Sequence, residues 1–292
     1  TPLYSSAASD VYKRQTLDFE AQRARAYQAF YEHMPLRASA LTRSLEGLAR
    51  GAELRIYGEV AFGKLANFYL LDDRQYRDRQ VCNKGLNFGS GWVDPDQCDE
   101  WLNPQRSLLG AQQEQWLNQS FANARNNSRV WNVVAQQTIF GRRDYKIGAG
   151  HSLWNDGWDG YSAARQRMTQ AMQHNALRNP VLLGGDVHEN WVGHVMADAY
   201  QDDSAKVGVE FCGAGITARS AGNSKLPTRL AENPHFIFAD SERKGYGVVE
   251  FTAKQIQTEL RVVDDVRQPQ TKIETLAKFE VEAGRPQVHR KA

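Results

Sequence analysis

The stretch PVLLGGDVHENW, residues 180–191, decides how the whole chain is read. Asn179 to Gly184 has the form of a short buried strand: an apolar run, too short for a helix, closed by glycine. Two glycines follow, and then Asp186 and His188. Alternate residues of an extended segment project to one side, so a carboxylate and an imidazole two positions apart can converge on one cation. Gly184 and Gly185 let the backbone approach a ligand closely. The same residues also read as an ordinary strand end, with Asp186 in a turn and His188 hydrogen-bonded in the core, because Asp-x-His is short and recurs by chance. Asn190 lies close by, and His194, inside the next apolar stretch, reads as a satisfied core histidine.

Working outward, the chain alternates helices and strands. Leu17 to His33 reads as a helix ending before Pro35, and Glu53 to Val60 and Leu65 to Leu71 as strands around the turn Phe62-Gly63-Lys64. A helix from Ala111 to Asn126 precedes a strand from Val130 to Gln136. A second helix, capped by Asp159 or Ser162, runs to His174. Further strands are expected at 191–198, 206–212, 245–252 and 255–263. This βα alternation predicts one α/β layered domain over 16–270. Residues 1–15 lack periodicity and are set aside as a non-native or disordered leader, and 271–292 as a polar, loosely held tail.

The chain has 292 residues, 41% of them hydrophobic and 24% charged, which is the composition of a folded globular protein. Its net charge of +2 comes from 36 basic and 34 acidic residues, so no overall field favours nucleic acid and any anion site must be local. No apolar run reaches the roughly 18 residues of a membrane helix. Of the three cysteines, Cys82 and Cys98 flank a polar, glycine-rich loop and read as a loop-closing disulfide in preference to two free thiols, which points to an oxidising compartment. Cys212 reads as a buried, unreactive thiol.

Two other segments carry candidate chemistry. In LLDDRQYRDRQ, Arg74 follows a buried strand and its planar fork could hold a phosphate; a surface ion-pair network of Asp72, Asp73, Arg74 and Arg77 is the competing reading. In the glycine-rich stretch WNDGWDGYSAARQR, Trp154, Asp156, Trp158, Asp159 and Tyr161 suggest a pocket wall, with Asp159 as a helix cap the alternative. There is no Walker A loop, dinucleotide fingerprint, nucleophile elbow or HExxH pair.

Eight segments, in order, resemble the PhoD-type alkaline phosphatase/phosphodiesterase family: AYQAFYEHMPLR (26–37), LLDDRQYRDRQVC (70–82), SLLGAQQEQWL (107–117), WNVVAQQ (131–137), WDGYSAARQR (158–167), LLGGDVHENW (182–191), VEFCGAGIT (209–217) and NPHFIFADSERKGYGVVE (233–250). The resemblance implies a calcineurin-like metallophosphoesterase fold, a four-layer α/β/β/α sandwich of which this chain holds the C-terminal part, with the N-terminal half and its earlier metal ligands missing. It implies hydrolysis of phosphomonoesters or phosphodiesters with bound calcium and iron, manganese or zinc being other candidates. It also implies export to the periplasm or beyond, and a small phosphoester as partner. The family's late metal motif falls on Asp186 and His188, with Arg74 catalytic and Trp158, Asp159 and Tyr161 binding substrate. Taken alone, the chain then reads as an inactive fragment of such an enzyme or, in a different class, as a non-catalytic ligand-binding module. Two departures stand out: the family's Asp-Thr-Arg is Asp72-Asp73-Arg74 here, and its Thr-Ser pair is Ala214-Gly215.

Overall fold

The computed structural model describes residues 19–34, 55–82, 89–219 and 222–291. The leader 1–15, the connector 37–51 and residues 83–88 of the stretch between the two loop cysteines lie outside them. Helix α1 spans Phe19–His33. The first two strands are β1 (Gly58–Phe62) and β2 (Ala66–Leu70), an antiparallel pair. They begin later than the sequence reading placed them.

From β2 the chain twice leaves the sheet through a helix and returns parallel: α2 (Ala111–Ala124) leads to β4 (Trp131–Ala135), and α3 (Ser162–His174) leads to β6 (Pro180–Gly184). A two-stranded ribbon pairs β3 (Trp92–Val93), which precedes α2, with β5 (Leu153–Trp154), which precedes α3. Strand β7 (Asn190–Met196) runs antiparallel to β8 (Lys206–Cys212), which is itself parallel to β6. A short helix α4 (Leu226–Glu232) and strand β9 (Phe236–Asp240), neither expected from the sequence, complete a seven-stranded mixed sheet of order β1-β2-β4-β6-β8-β7-β9.

Strand alternation explains the layers. Val134 and Leu182 point to the face covered by Leu117 and Phe121 of α2 and Met168 and Met172 of α3. Their neighbours Val133 and Val181 point the other way, into a core shared with Ile256, Leu260, Phe279 and Val281 of a second sheet. That sheet is the antiparallel β10 (Lys244–Phe251), β11 (Gln255–Val263), β12 (Ile273–Glu282) and β13 (Val288–Lys291). The stacking of the described residues is thus helix, sheet, sheet. The outer face of the second sheet carries ion pairs such as Lys278–Glu259 at 2.8 Å and Lys291–Glu280 at 3.2 Å. Within 271–292, read from sequence as a loose polar tail, Ile273–Glu282 and Val288–Lys291 instead form β12 and β13. Their alternate polar side chains face water while Ala277, Phe279, Val281 and Val288 are buried.

Four parallel strands, β2, β4, β6 and β8, end along one edge of the large sheet. In open α/β sheets that edge is where ligands bind, because the loops leaving it converge there.

Candidate active site

Beyond β6 the chain does not stay extended. Val187 N–H donates to Gly185 O at 2.8 Å, and Asp186 and His188 both take left-handed backbone angles, φ 68° and 62°. A tight bend, and not the extended run expected from the sequence, thus brings the two side chains to one cavity. Two non-glycine residues at positive φ in three positions are uncommon, and such strain gathers where function requires it. Of the two glycines only Gly184 is demanded by space, since an added Cβ there would lie 2.1 Å from Thr138 O, whereas at Gly185 the nearest atom is 3.9 Å away.

The bend is held from several sides. Glu189, buried, accepts from Arg143 Nη1 at 3.0 Å, Trp191 Nε1 at 2.9 Å and Ser241 Oγ at 3.0 Å, and Arg229 Nη1 lies 3.4 Å away. Asn190 Oδ1 accepts from Ala214 N–H at 3.1 Å, tying the bend to the end of β8. Lys244 Nζ donates to His188 O at 3.2 Å. His188 Nδ1 lies 3.2 Å from Arg219 O; a carbonyl only accepts, so Nδ1 is the donor, and in the neutral imidazole Nε2 is then the free acceptor. This is the arrangement by which a histidine is prepared as a metal ligand.

Arg74 donates to Asp186 Oδ2 at 2.7 Å and also lies near Asp73 (3.6 Å) and Asp156 (3.7 Å). Burial alone would lower its pKa, but these three carboxylates hold it above the ordinary guanidinium value. Asp73 is fully buried, and burial pushes its pKa up to about 6 against the opposing pull of Arg74 and the Gln137 N–H. Asp72 caps its own turn by accepting from the backbone N–H groups of Arg74 (3.1 Å) and Gln75 (3.0 Å). The second carboxylate of the Asp72-Asp73-Arg74 departure is thus turned inward beside Arg74.

The cavity has a volume of about 480 Å³. Trp158 and Asp159 line it with Asp186 and His188. Asp159 is committed internally, Oδ1 to Arg165 Nη1 at 2.7 Å and Oδ2 to Arg143 N–H at 3.0 Å, and does not cap α3. The Trp158 indole packs on Phe140 and donates to Gln136 Oε1 at 3.2 Å. Tyr161 is not among the lining residues: its hydroxyl donates to Asp78 O at 2.5 Å, and burial pushes its pKa up to about 12. Cys82 and Cys98 are joined by a disulfide with Cα atoms 5.8 Å apart, and Cys212 is free and buried. His194 sits in the core, Nε2 accepting from Val288 N–H at 3.3 Å.

Sequence reasoning missed Trp92, Arg143, Tyr145, Glu189 and Arg229, all lining the cavity. Only Glu189, inside the 180–191 stretch, carried a local signal. As a metal site, Asp186 and His188 supply an oxygen and a nitrogen donor suited to divalent and trivalent ions. No group of three or more His, Cys, Asp or Glu placed to hold a metal occurs among the described residues.

A mixed α/β sheet with an acid–imidazole bend at the carboxyl ends of its parallel strands defines the class of this chain. The family described as "PhoD-like phosphatase" matches residues 3–260, beginning within the stretch set aside as a leader. The sequence is 39% identical over 264 residues to "Alkaline phosphatase D" of Bacillus subtilis (strain 168), covering 89% of this chain and 42% of that protein. A solved structure titled "Structure of PhoD" superposes with a TM-score of 0.80 at 36% identity, covering 92% of this chain and 49% of the other. The chain belongs to the PhoD-like phosphatase family. It spans about half the length of the relatives it matches.

Proposed function

We propose that this chain carries the C-terminal portion of the active site of a metal-dependent hydrolase of phosphomonoesters or phosphodiesters. The observation that carries the reading is the bend itself: Asp186 and His188, both at positive φ, open onto one cavity, with His188 Nδ1 turned to the Arg219 carbonyl. Asp186 and His188 Nε2 would hold an ion, calcium or iron first and manganese or zinc also compatible with the donors. Bound there, an ion would lower the pKa of a coordinated water, so that its hydroxide form could serve as nucleophile, and would offset charge on phosphoryl oxygens.

The chain's own residues orient and balance charge. Arg74 fixes the Asp186 carboxylate, and Arg143 and Arg229, held by Glu189, place positive charge along the cavity wall where an anionic ester would lie. The Cys82–Cys98 disulfide supports an oxidising location, periplasmic or extracellular. A small phosphoester is the partner. Among the described residues no helix is long and apolar enough to cross a membrane.

The second reading, an inactive fragment of such an enzyme, would follow if Asp186 and His188 alone held the ion, since two donors bind a metal weakly. Both readings are tested by assaying para-nitrophenyl phosphate hydrolysis with added calcium, iron or manganese, alongside elemental analysis of bound metal. Asp186→Ala and His188→Ala are expected to lose bound metal and at least about a hundredfold in turnover together. Unchanged turnover in Asp186→Ala would defeat the assignment. Absence of any turnover in the unaltered chain, with metal still bound through these two residues, supports the second reading.

A further inference from the structure

One wall of the cavity is aromatic, and neither phosphate nor metal chemistry requires it. Trp92 and Trp154 are register partners in the β3–β5 ribbon, with ring centroids 5.0 Å apart. The Tyr145 ring centroid stands 4.5 Å from that of Trp92. All three line the cavity with Asp186 and His188.

The backbone beneath them is fixed. Val93 and Leu153, the neighbouring register pair, are 4% and 0% exposed, and they pack with Cys98 in a small core at the disulfide. Trp92 is nevertheless 55% exposed. A tryptophan serving only the fold would turn its large apolar surface inward, and here the anchoring pair beside it does. Arg143 and Arg229 sit over Tyr145, at 4.9 and 4.6 Å from the ring centroid, and run from this wall to Glu189 beside His188. A volume of about 480 Å³ also matches the roughly 300–1,000 Å³ of sites that enclose a whole small ligand, not a phosphoryl group alone.

We propose that Trp92, with Trp154 and Tyr145, forms a subsite that stacks a planar aromatic arm of the phosphoester, an aryl group or a nucleobase, while the phosphoryl group faces Asp186 and His188. Stacking tolerates any flat ring because each presents a π-face, and the flanking guanidiniums draw in the attached anion. The inference rests on reading the cavity as a phosphoester site.

Isothermal calorimetry on the chain in calcium buffer, with phenyl phosphate, adenosine monophosphate and glycerol phosphate, tests it. Both aromatic esters are expected to bind more tightly than the aliphatic one, and Trp92→Ala to lower that ratio about tenfold, with Trp92→Phe restoring most of it. A wild-type ratio near one, or a ratio unmoved by Trp92→Ala, overturns the subsite. Preference for phenyl phosphate over the nucleotide identifies the arm as a simple aryl group, and the reverse as a nucleobase. If no phosphate ester binds, the phosphoester reading fails, and adenosine, which lacks phosphate, then tests the wall alone: binding weakened by Trp92→Ala upholds stacking, and no binding by the wild type overturns it. Far-ultraviolet circular dichroism confirms that each variant is folded.

Discussion

Asp73 is the residue whose environment departs furthest from its sequence appearance. In LLDDRQ it looks like part of a charged surface cluster, yet it is fully buried, with burial raising its pKa to about 6. A carboxyl group with a folded pKa above its unfolded value binds more protons when folded, so its contribution to stability is present at low pH and is lost as pH rises from about 4 through about 6. Asp73→Asn keeps an acceptor for the Gln137 N–H and removes the buried charge. It is expected to raise stability by on the order of 1–2 kcal/mol at pH 8 and by little at pH 4, read from urea denaturation at both values. A gain that is equal at both pH values would show that the carboxylate is not the cause. At this scale Asp186, His188 and Arg74 were legible because each follows an apolar run that ends abruptly. Arg143 and Arg229 were not, because they meet Glu189 from 46 and 40 residues away and no local pattern records such a contact.

The element that sets the site is the end of β6, where Gly184 pairs with Cys212 and its C=O accepts from Gly213 N–H while its Cα faces Thr138. Gly184→Ala would drive Cβ against backbone, and backbone at the end of β4 cannot yield as a flexible side chain does. The substitution is expected to cost about 1–3 kcal/mol in chemical denaturation, whereas Gly185→Ala, with open space around it, is expected to change stability by less than about 1 kcal/mol. Equal effects at the two positions would mean that the close approach to Thr138 is not what selects glycine. The helices and parallel strands were readable because strong periodicities and long apolar runs coincide there. Helix α4 and β9 escaped because a seven-residue helix opening on Lys225-Leu226-Pro227 is too short to show a period. The bend at 186–188 escaped for another reason: two left-handed non-glycine residues contradict local preference and are imposed by the Glu189, Asn190 and Lys244 contacts.

Across the whole molecule, the second sheet ties the C-terminal residues to the large sheet that carries the site. Phe279 of β12 is 1% exposed and packs on Phe211 of β8 and Phe238 of β9, with ring centroids 6.3 and 5.4 Å away. Phe279→Ala is expected to destabilise the protein by about 3–5 kcal/mol in urea denaturation, while Lys278→Ala beside it, on the wet face, should change stability by about 0.5 kcal/mol or less. Similar losses at both positions would contradict the inward-outward alternation of β12. The sequence by itself determined the α/β alternation, the buried parallel strands and the acid–imidazole motif at the end of one of them. Each is written in neighbouring residues, through hydrophobic period and turn chemistry. Only the tertiary structure decided that Ala277, Phe279, Val281 and Val288 join the core, that Asp73 is buried, that the Tyr161 hydroxyl bonds Asp78 O, and that Trp92 and Tyr145 line the cavity with His188. Those outcomes depend on which surfaces meet after the chain has folded back over tens of residues, and a contact of that kind leaves no periodic trace in either partner.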